Sequence, residues 1–289
     1  MTARATLLAD RRRLHLQHGP IDLVVEAFGE PAEVARAYVQ AEARFHPILP
    51  VLAAQLPILR SFARPGLPVD GAVARAMLGA VLPLADHFIT PMAAVAGAVA
   101  DHVLAAMLDG RRLSRAYVNN GGDIAFHLAS GRSFRIGVVS RIDGGAVDAH
   151  AVIGAAQPVR GIATSGAGGR SFSLGIADSV TVLGRNAAEA DAAATVIANA
   201  VDLPGHPAVS RRPARDLDPD SDLGDRSVTV AVGPLDEADC RRAIAAGVEK
   251  ARILLRRGLI GGAKLSLRGV VEVVGGGVFL PSDERAECA

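Results

Sequence analysis

The sequence predicts an α+β fold: an antiparallel sheet core with packed helices and a helical insertion near the N-terminus. Three observations predict it. Alternating and β-branched runs dominate residues 4–28 and 114–184, with glycine-rich turns between them. Residues 31–84 carry helical spacing that prolines interrupt. Two Ala-rich helical segments, starting near Thr90 and Asn186, flank the second strand region.

The composition supports a sizeable core and excludes several function classes. Half of the 289 residues are apolar and 21% are charged. Aromatics make up only 3%, with no Trp, so a base-stacking platform for single-stranded nucleic acid is not expected. The formal net charge is +1, and the short clusters Arg11-Arg12-Arg13, Arg211-Arg212 and Arg256-Arg257 read as solvated faces. Cys240 and Cys288 form neither a CxxC pair nor a disulfide framework. No long apolar core of a signal peptide opens the chain, and the apolar stretch 71–108 is interrupted by Arg75, Asp86, His87, Pro91 and Asp101. The expectation is a cytoplasmic protein with no membrane and no nucleic-acid partner.

In chain order, residues 4–28 read as two strands around a charged turn at Asp10-Arg11-Arg12. Pro31-Ala32-Glu33 reads as a helix start, with an acid in the first turn where the helix dipole favours it. Pro47, Pro50 and Pro57 break the next stretch into pieces, and 69–82 reads as another helix. Thr90-Pro91 reads as an N-cap with proline at the first helical position. The residues after it are almost all small, which suits close approach to a phosphate or tight packing on a sheet. Tyr117 to Leu128 brackets Asn119-Asn120-Gly121-Gly122-Asp123 between apolar runs, a hairpin turn whose glycines leave the backbone open.

Further strands are expected over 134–139, 152–153, 161–163 and 178–183. The loop from Ala163 to Ser171, with Thr164, Ser165, Gly166 and Arg170, has the composition of an anion nest or of a flexible hairpin loop. Asn186 to Val201 reads as an Asn-capped helix on which Asp191 and Thr195, four apart, share a face. Two oxygen donors there suit a hard cation such as Mg²⁺, or else a surface Asp and a Thr bonded back to its helix. Residues 203–226, with four prolines and five aspartates, read as an exposed linker. A strand at 228–232, a helix over 236–257 and a hairpin at 265–274 complete the chain, with a polar tail from Pro281. His127 and His150 read as structural histidines on strands.

Four of these stretches, in this order, resemble the ApbE superfamily, whose founding members are FAD:protein FMN transferases. Ala190-Asp191-Ala192-Ala193-Ala194-Thr195 is similar to that family's ADALAT motif, Asn120-Gly121-Gly122-Asp123-Ile124 to its N-x-G-G-D-I segment, and Ala163-Thr164-Ser165-Gly166 to its ATSG. The fourth is the small-residue helix start from Thr90. The resemblance covers residues 90–202, and the N-terminal hairpin looks more like a short, uncharacterised cytoplasmic branch than like the exported transferases.

The resemblance implies a single ApbE-like domain over 1–289. Within it lie the helical insertion (31–84), the motif core (90–202), the exposed linker (203–226) and a C-terminal strand-helix-hairpin (227–280). It also implies Mg²⁺ held by Asp191, Thr195 and the Ala93 carbonyl. FAD or a related flavin or pterin nucleotide would lie against Asn120, Gly121, Gly122, Asp123, Thr164, Ser165 and Gly166. The implied activity is Mg²⁺-dependent pyrophosphate cleavage with transfer of FMN to an acceptor protein. Two departures stand against transfer. Thr90 and Ala96 occupy the places of the family's Asp and Lys, and no His or Pro-Thr-Gly lies between 167 and 178. Asp123 and Asp178 are the remaining candidates for a proton acceptor. The alternative is a non-catalytic flavin- or nucleotide-binding protein.

Overall fold

The computed structural model describes residues 2–139, 147–169, 171–275 and 279–281. Arg170 of the glycine-rich loop, Cys288 and the tail beyond Pro281 lie outside the described residues. The chain divides into two compact units. The first comprises 1–132, 158–163 and 183–193, and the second 133–157, 164–182 and 194–289.

The first unit is an antiparallel sheet with helices. β1 (Arg4–Leu7), β2 (Leu14–His18) and β3 (Ile21–Gly29) pair in sequence, followed by β4 (Leu113–Asn120) and β5 (Asp123–Leu128). The stretch expected as two strands thus holds three, because Arg4–Leu7 also pairs, Thr6 lying opposite His15. Between β3 and β4 come α1 (Pro31–Phe45), α2 (Ile48–Ala53), α3 (Leu56–Leu59) and α4 (Ala72–Val81). Pro47 and Pro57 mark the boundaries of the short pieces, as their missing N–H groups require. The start of α1 is fixed by Glu33, which accepts from the Arg112 N–H at 2.9 Å and pairs with Arg111 at 3.2 Å.

The helix expected from Thr90 begins as one 3-10 turn, Pro91–Ala94, and becomes α5 at Val95, running to Leu108. α5 packs on α1, α4, β4 and β5, and Val99, Val103 and Met107 are fully buried. Each fully buried side chain of this size contributes roughly 2 kcal/mol of transfer free energy. The window Pro91–Leu108 is long and apolar enough to cross a membrane, yet 56% of it is buried inside the protein, as in the core helix of a globular unit.

β4 and β5 form the expected hairpin, with Asn120 opposite Asp123 and a two-residue turn. Gly121 (φ 65°) and Gly122 (φ 110°) both need positive φ, and Asn119 Oδ1 accepts from the Gly122 N–H at 2.8 Å. β6 (Ser133–Val139) and β7 (Val147–Gly154) come next, in the second unit. β8 (Gly161–Ser165) then pairs with β5 through Gly161 and Ile162, and continues into the second unit at Thr164.

β9 (Ser179–Gly184) begins in the second unit and ends in the first, and α6 (Ala187–Ala200) follows it, with its first half in the first unit. The stretch expected as an exposed linker carries β10 (Val209–Pro213), which pairs with β11 (Ser227–Val232). Its prolines read as linker, but Pro213 closes β10 at its end, where a missing N–H is tolerated. α7 (Glu237–Arg256) is capped by Asp236, which accepts from the Asp239 N–H at 2.7 Å. It packs on β12 (Gly262–Leu267) and β13 (Val270–Val274), and β14 (Phe279–Pro281) pairs with β7.

Candidate functional site

The first unit brings two helix starts and the hairpin turn together around Asp191. The first four N–H groups of any α-helix lack intrahelical partners. At α5, the Gly97 N–H donates to Asp191 Oδ2 at 3.0 Å and the Ala96 N–H donates to the same carboxylate. The Ala96 carbonyl accepts from Asn120 Nδ2 at 3.1 Å, which joins the hairpin to this helix start. Asn120 is 5% exposed, so its amide serves this bond inside the protein.

Asp191 sits within the second turn of α6, half-buried. Its carboxyl is pushed well above the usual carboxylate range, first by burial and then by the charge of Asp123. The bonds from Gly97 and Ala96 oppose this shift without cancelling it. Two carboxylates thus compete for one negative charge in a poorly solvated place. Thr195, half-buried, lies one helical turn beyond Asp191 on the same α6. Ala93 lies in the 3-10 turn that leads into α5, its N–H bonded to the Thr90 carbonyl at 3.1 Å.

The start of α6 is held from several directions. Asp101, on α5, accepts from the Ala187 N–H at 3.0 Å and from the Ala188 N–H at 2.9 Å. Asn186 is the expected cap and takes the Glu189 N–H at 2.8 Å, while its carbonyl takes the Ala190 N–H at 3.2 Å. The N–H groups of Ala187, Ala188 and Glu189, which have no partner within α6, are thereby satisfied. Burial raises the Asp101 carboxyl to about 6, against the lowering effect of its two backbone bonds.

Glycine makes the close packing here possible. A Cβ at Gly97 would overlap the Ala187 carbonyl and lie 2.6 Å from the Ala188 nitrogen. A Cβ at Gly161 would overlap the peptide between Asn186 and Ala187, and one at Gly184 would lie 2.8 Å from the Asn186 oxygen.

In the second unit Thr164 Oγ1 meets Thr181 Oγ1 at 2.9 Å, Ser165 is half-buried and Gly166 is buried. Gly166 packs on backbone: a Cβ there would lie 2.5 Å from the Asp178 oxygen. Asp178 ties down a turn, its Oδ2 accepting from the Arg268 N–H at 2.5 Å. His127 is half-buried, its ring bonded to backbone at Leu113 and its basicity lowered by burial, and His150 Nδ1 meets Arg135 at 3.2 Å. Both have the neighbours of structural residues.

Sequence reasoning singled out Asp191, Asp123 and Asn120, and the structure brings these together with the helix start at Ala96 and Gly97. It passed over Asp101, Gly97, Gly161 and Gly184. One signal was present: Gly97 and Asp101 are four apart on α5, a glycine and an acid on one face of an otherwise apolar helix.

These features define an α+β protein with a half-buried carboxylate held between two helix starts. Over residues 5–273 the chain matches the family model described as AbpE bacteria. It belongs to that family and so to the ApbE-like superfamily. Among solved structures it is similar to the ApbE protein of Thermotoga maritima, at 14% identity and TM-score 0.45, covering 90% of this chain and 96% of that one. The flavinyl transferase ApbE of Pseudomonas stutzeri aligns at 12% identity and TM-score 0.39, covering 98% and 95%. The flavin transferase ApbE of Vibrio cholerae aligns at 13% identity and TM-score 0.39, covering 95% and 98%. No curated protein matches the chain.

Proposed function

We propose that the chain binds FAD or a related flavin or pterin nucleotide together with Mg²⁺, and that Asp191 is the principal cation ligand. One observation carries this: Asp191 is confined beside Asp123 at two helix starts, with its charge poorly compensated. A divalent cation would offset the charge of such a pair. The donors fit Mg²⁺ in kind, since all are oxygen: Asp191, Thr195 and the Ala93 carbonyl. Among the described residues no group of three or more His, Cys, Asp or Glu is placed to hold a metal. That sparse set suits an ion which keeps waters and takes substrate phosphate oxygens rather than one needing a full protein cage.

Bound Mg²⁺ would neutralise charge developing on a pyrophosphate as it breaks. The chain's own part is positioning. Asn120 holds the hairpin turn on the Ala96 carbonyl, and Gly121 and Gly122 keep the backbone there low enough for a ligand to approach. For the second unit we assign Thr164, Ser165 and Gly166 to a ligand contact. Asp123 is the proton acceptor we favour. Asp178 is the weaker choice because its carboxylate already holds the Arg268 turn.

A second reading, nucleotide binding without transfer, is supported by Thr90 and Ala96, which supply neither acid nor base. The family relationship favours a small-molecule flavin ligand and an acceptor protein, and we place the chain in the cytoplasm as one ApbE-like domain. The test is incubation with FAD and Mg²⁺, with AMP followed by mass spectrometry and retained flavin by absorbance. AMP release that Asp191→Ala reduces by about 100-fold or more is the expected result, the scale on which losing charge stabilisation acts. Retained flavin without AMP selects the binding reading, and neither AMP nor flavin sinks both.

A further inference from the structure

α5 and α6 each present free N–H groups at their starts, and each is capped by a carboxylate carried by the other helix. Asp191 of α6 takes Ala96 and Gly97 of α5, and Asp101 of α5 takes Ala187 and Ala188 of α6. Both helix starts meet at Gly97, where no side chain fits against Ala187. We propose that Asp101 is a positioning residue: through this reciprocal capping it fixes the start of α6 and thereby holds the Asp191 carboxylate in place for a cation.

The hydrogen bonds of Asp101 go to Ala187 and Ala188, neither of which is assigned to the ligand. Its influence therefore runs through α6. Ala187 and Ala188 precede Asp191 by one turn, and a rigid turn transmits their position to it. Loosening them lets Asp191 drift from the Gly97 and Ala96 N–H groups. The converse holds for Asp191 and the α6 start. Each carboxylate also lies at the positive end of the partner helix, where a negative charge is favoured. Asp101 in the interior of an Ala-rich helix has no local use, since alanine there would be the better helix former.

This role rests on Asp191 as cation ligand, yet it has a readout without the cation. Amide hydrogen exchange is measured in the metal-free protein, with rates normalised to sheet amides such as Val25 and Val118. Asp101→Ala is expected to speed exchange at Gly97 by about 10-fold or more, as well as at Ala187 and Ala188. A purely local cap would speed only Ala187 and Ala188, and the better helix former at 101 would leave Gly97 unchanged or slower, which overturns the proposal. Asp101→Asn, which keeps one acceptor oxygen, is expected to fall between wild type and Asp101→Ala, and covers the case in which the alanine variant does not fold. Mn²⁺ binding is then followed by electron paramagnetic resonance, with roughly 10- to 100-fold weaker affinity expected for Asp101→Ala. Equal affinity overturns the positioning role. If wild type takes up no Mn²⁺, the cation assignment fails, and the Gly97 exchange rate alone decides the reciprocal capping.

Discussion

The Gly121-Gly122 turn and the start of α6 use glycine for opposite reasons. At the turn the dihedral angles are the constraint: both residues have positive φ, and nothing lies within 4 Å of where a Gly122 Cβ would stand. At the α6 start the constraint is space, because Gly97, Gly161 and Gly184 lie directly against backbone. The turn is conspicuous in the sequence and structurally forgiving. The helix start is inconspicuous and has no room for a methyl group.

The comparison predicts a ranking in stability. Gly161→Ala places a methyl group inside the Asn186–Ala187 peptide, and backbone cannot swing aside as a flexible side chain can. A loss of about 3 kcal/mol is expected, at the upper end of overpacking costs. Gly97→Ala belongs to the same class. Gly122→Ala meets only the left-handed backbone penalty, about 1 kcal/mol. Chemical denaturation of the three variants checks the order, and a Gly122→Ala loss equal to that of Gly161→Ala would remove the distinction between the two regions.

The α6 start also differs from the turn in its dependence on pH. Asp101 is raised from 3.8 to about 6, so between those values the folded state holds a proton that the unfolded state has released. Folding is therefore favoured by this group below pH 3.8, and that contribution is lost as pH rises to about 6. The size is about 3 kcal/mol across the window. Asp101→Asn should flatten the stability profile between about pH 4 and pH 6 relative to wild type by an amount of that order. Gly122→Ala should leave the slope unchanged. An unaltered slope in Asp101→Asn would show that burial does not govern this carboxyl.

Legibility in the sequence divides along the same line. The β4–β5 hairpin, the Asn186 cap and α7 were legible because their signals are local: a turn dipeptide, a cap residue, acids and bases at helix ends. The pairing of Arg4–Leu7 was less legible, since a four-residue edge strand has little periodicity to show. β10 was hidden because Pro204, Pro207 and Pro213 read as linker residues, whereas Val209–Pro213 makes its bonds with distant β11. Of the site, Asn120 and Asp123 were visible beside the glycines of the turn, and Asp191 through its four-residue spacing to Thr195. Asp101 and Gly97 acquire meaning only from α6, 86 and 90 residues further on, at Ala187. Bonds of that separation leave no local pattern.

Carboxylates repeat the contrast that the glycines make. Asp178 and Asp191 both accept backbone N–H groups, but Asp178 serves a turn. Its partner Arg268 adopts φ 49° beside Gly269 at φ 83°, and the bond stabilises that two-residue connection between β12 and β13. Asp191 is crowded by the charge of Asp123, whereas the Asp178 carboxylate is already committed to the turn, so nothing about Asp178 calls for a cation. Asp178→Ala should cost about 1 kcal/mol, the usual worth of one such hydrogen bond. Mn²⁺ affinity should be unchanged, where Asp191→Ala abolishes it. A loss of Mn²⁺ binding in Asp178→Ala would return Asp178 to the group of site residues and would mean that accepting a turn N–H does not exclude a carboxylate from the chemistry.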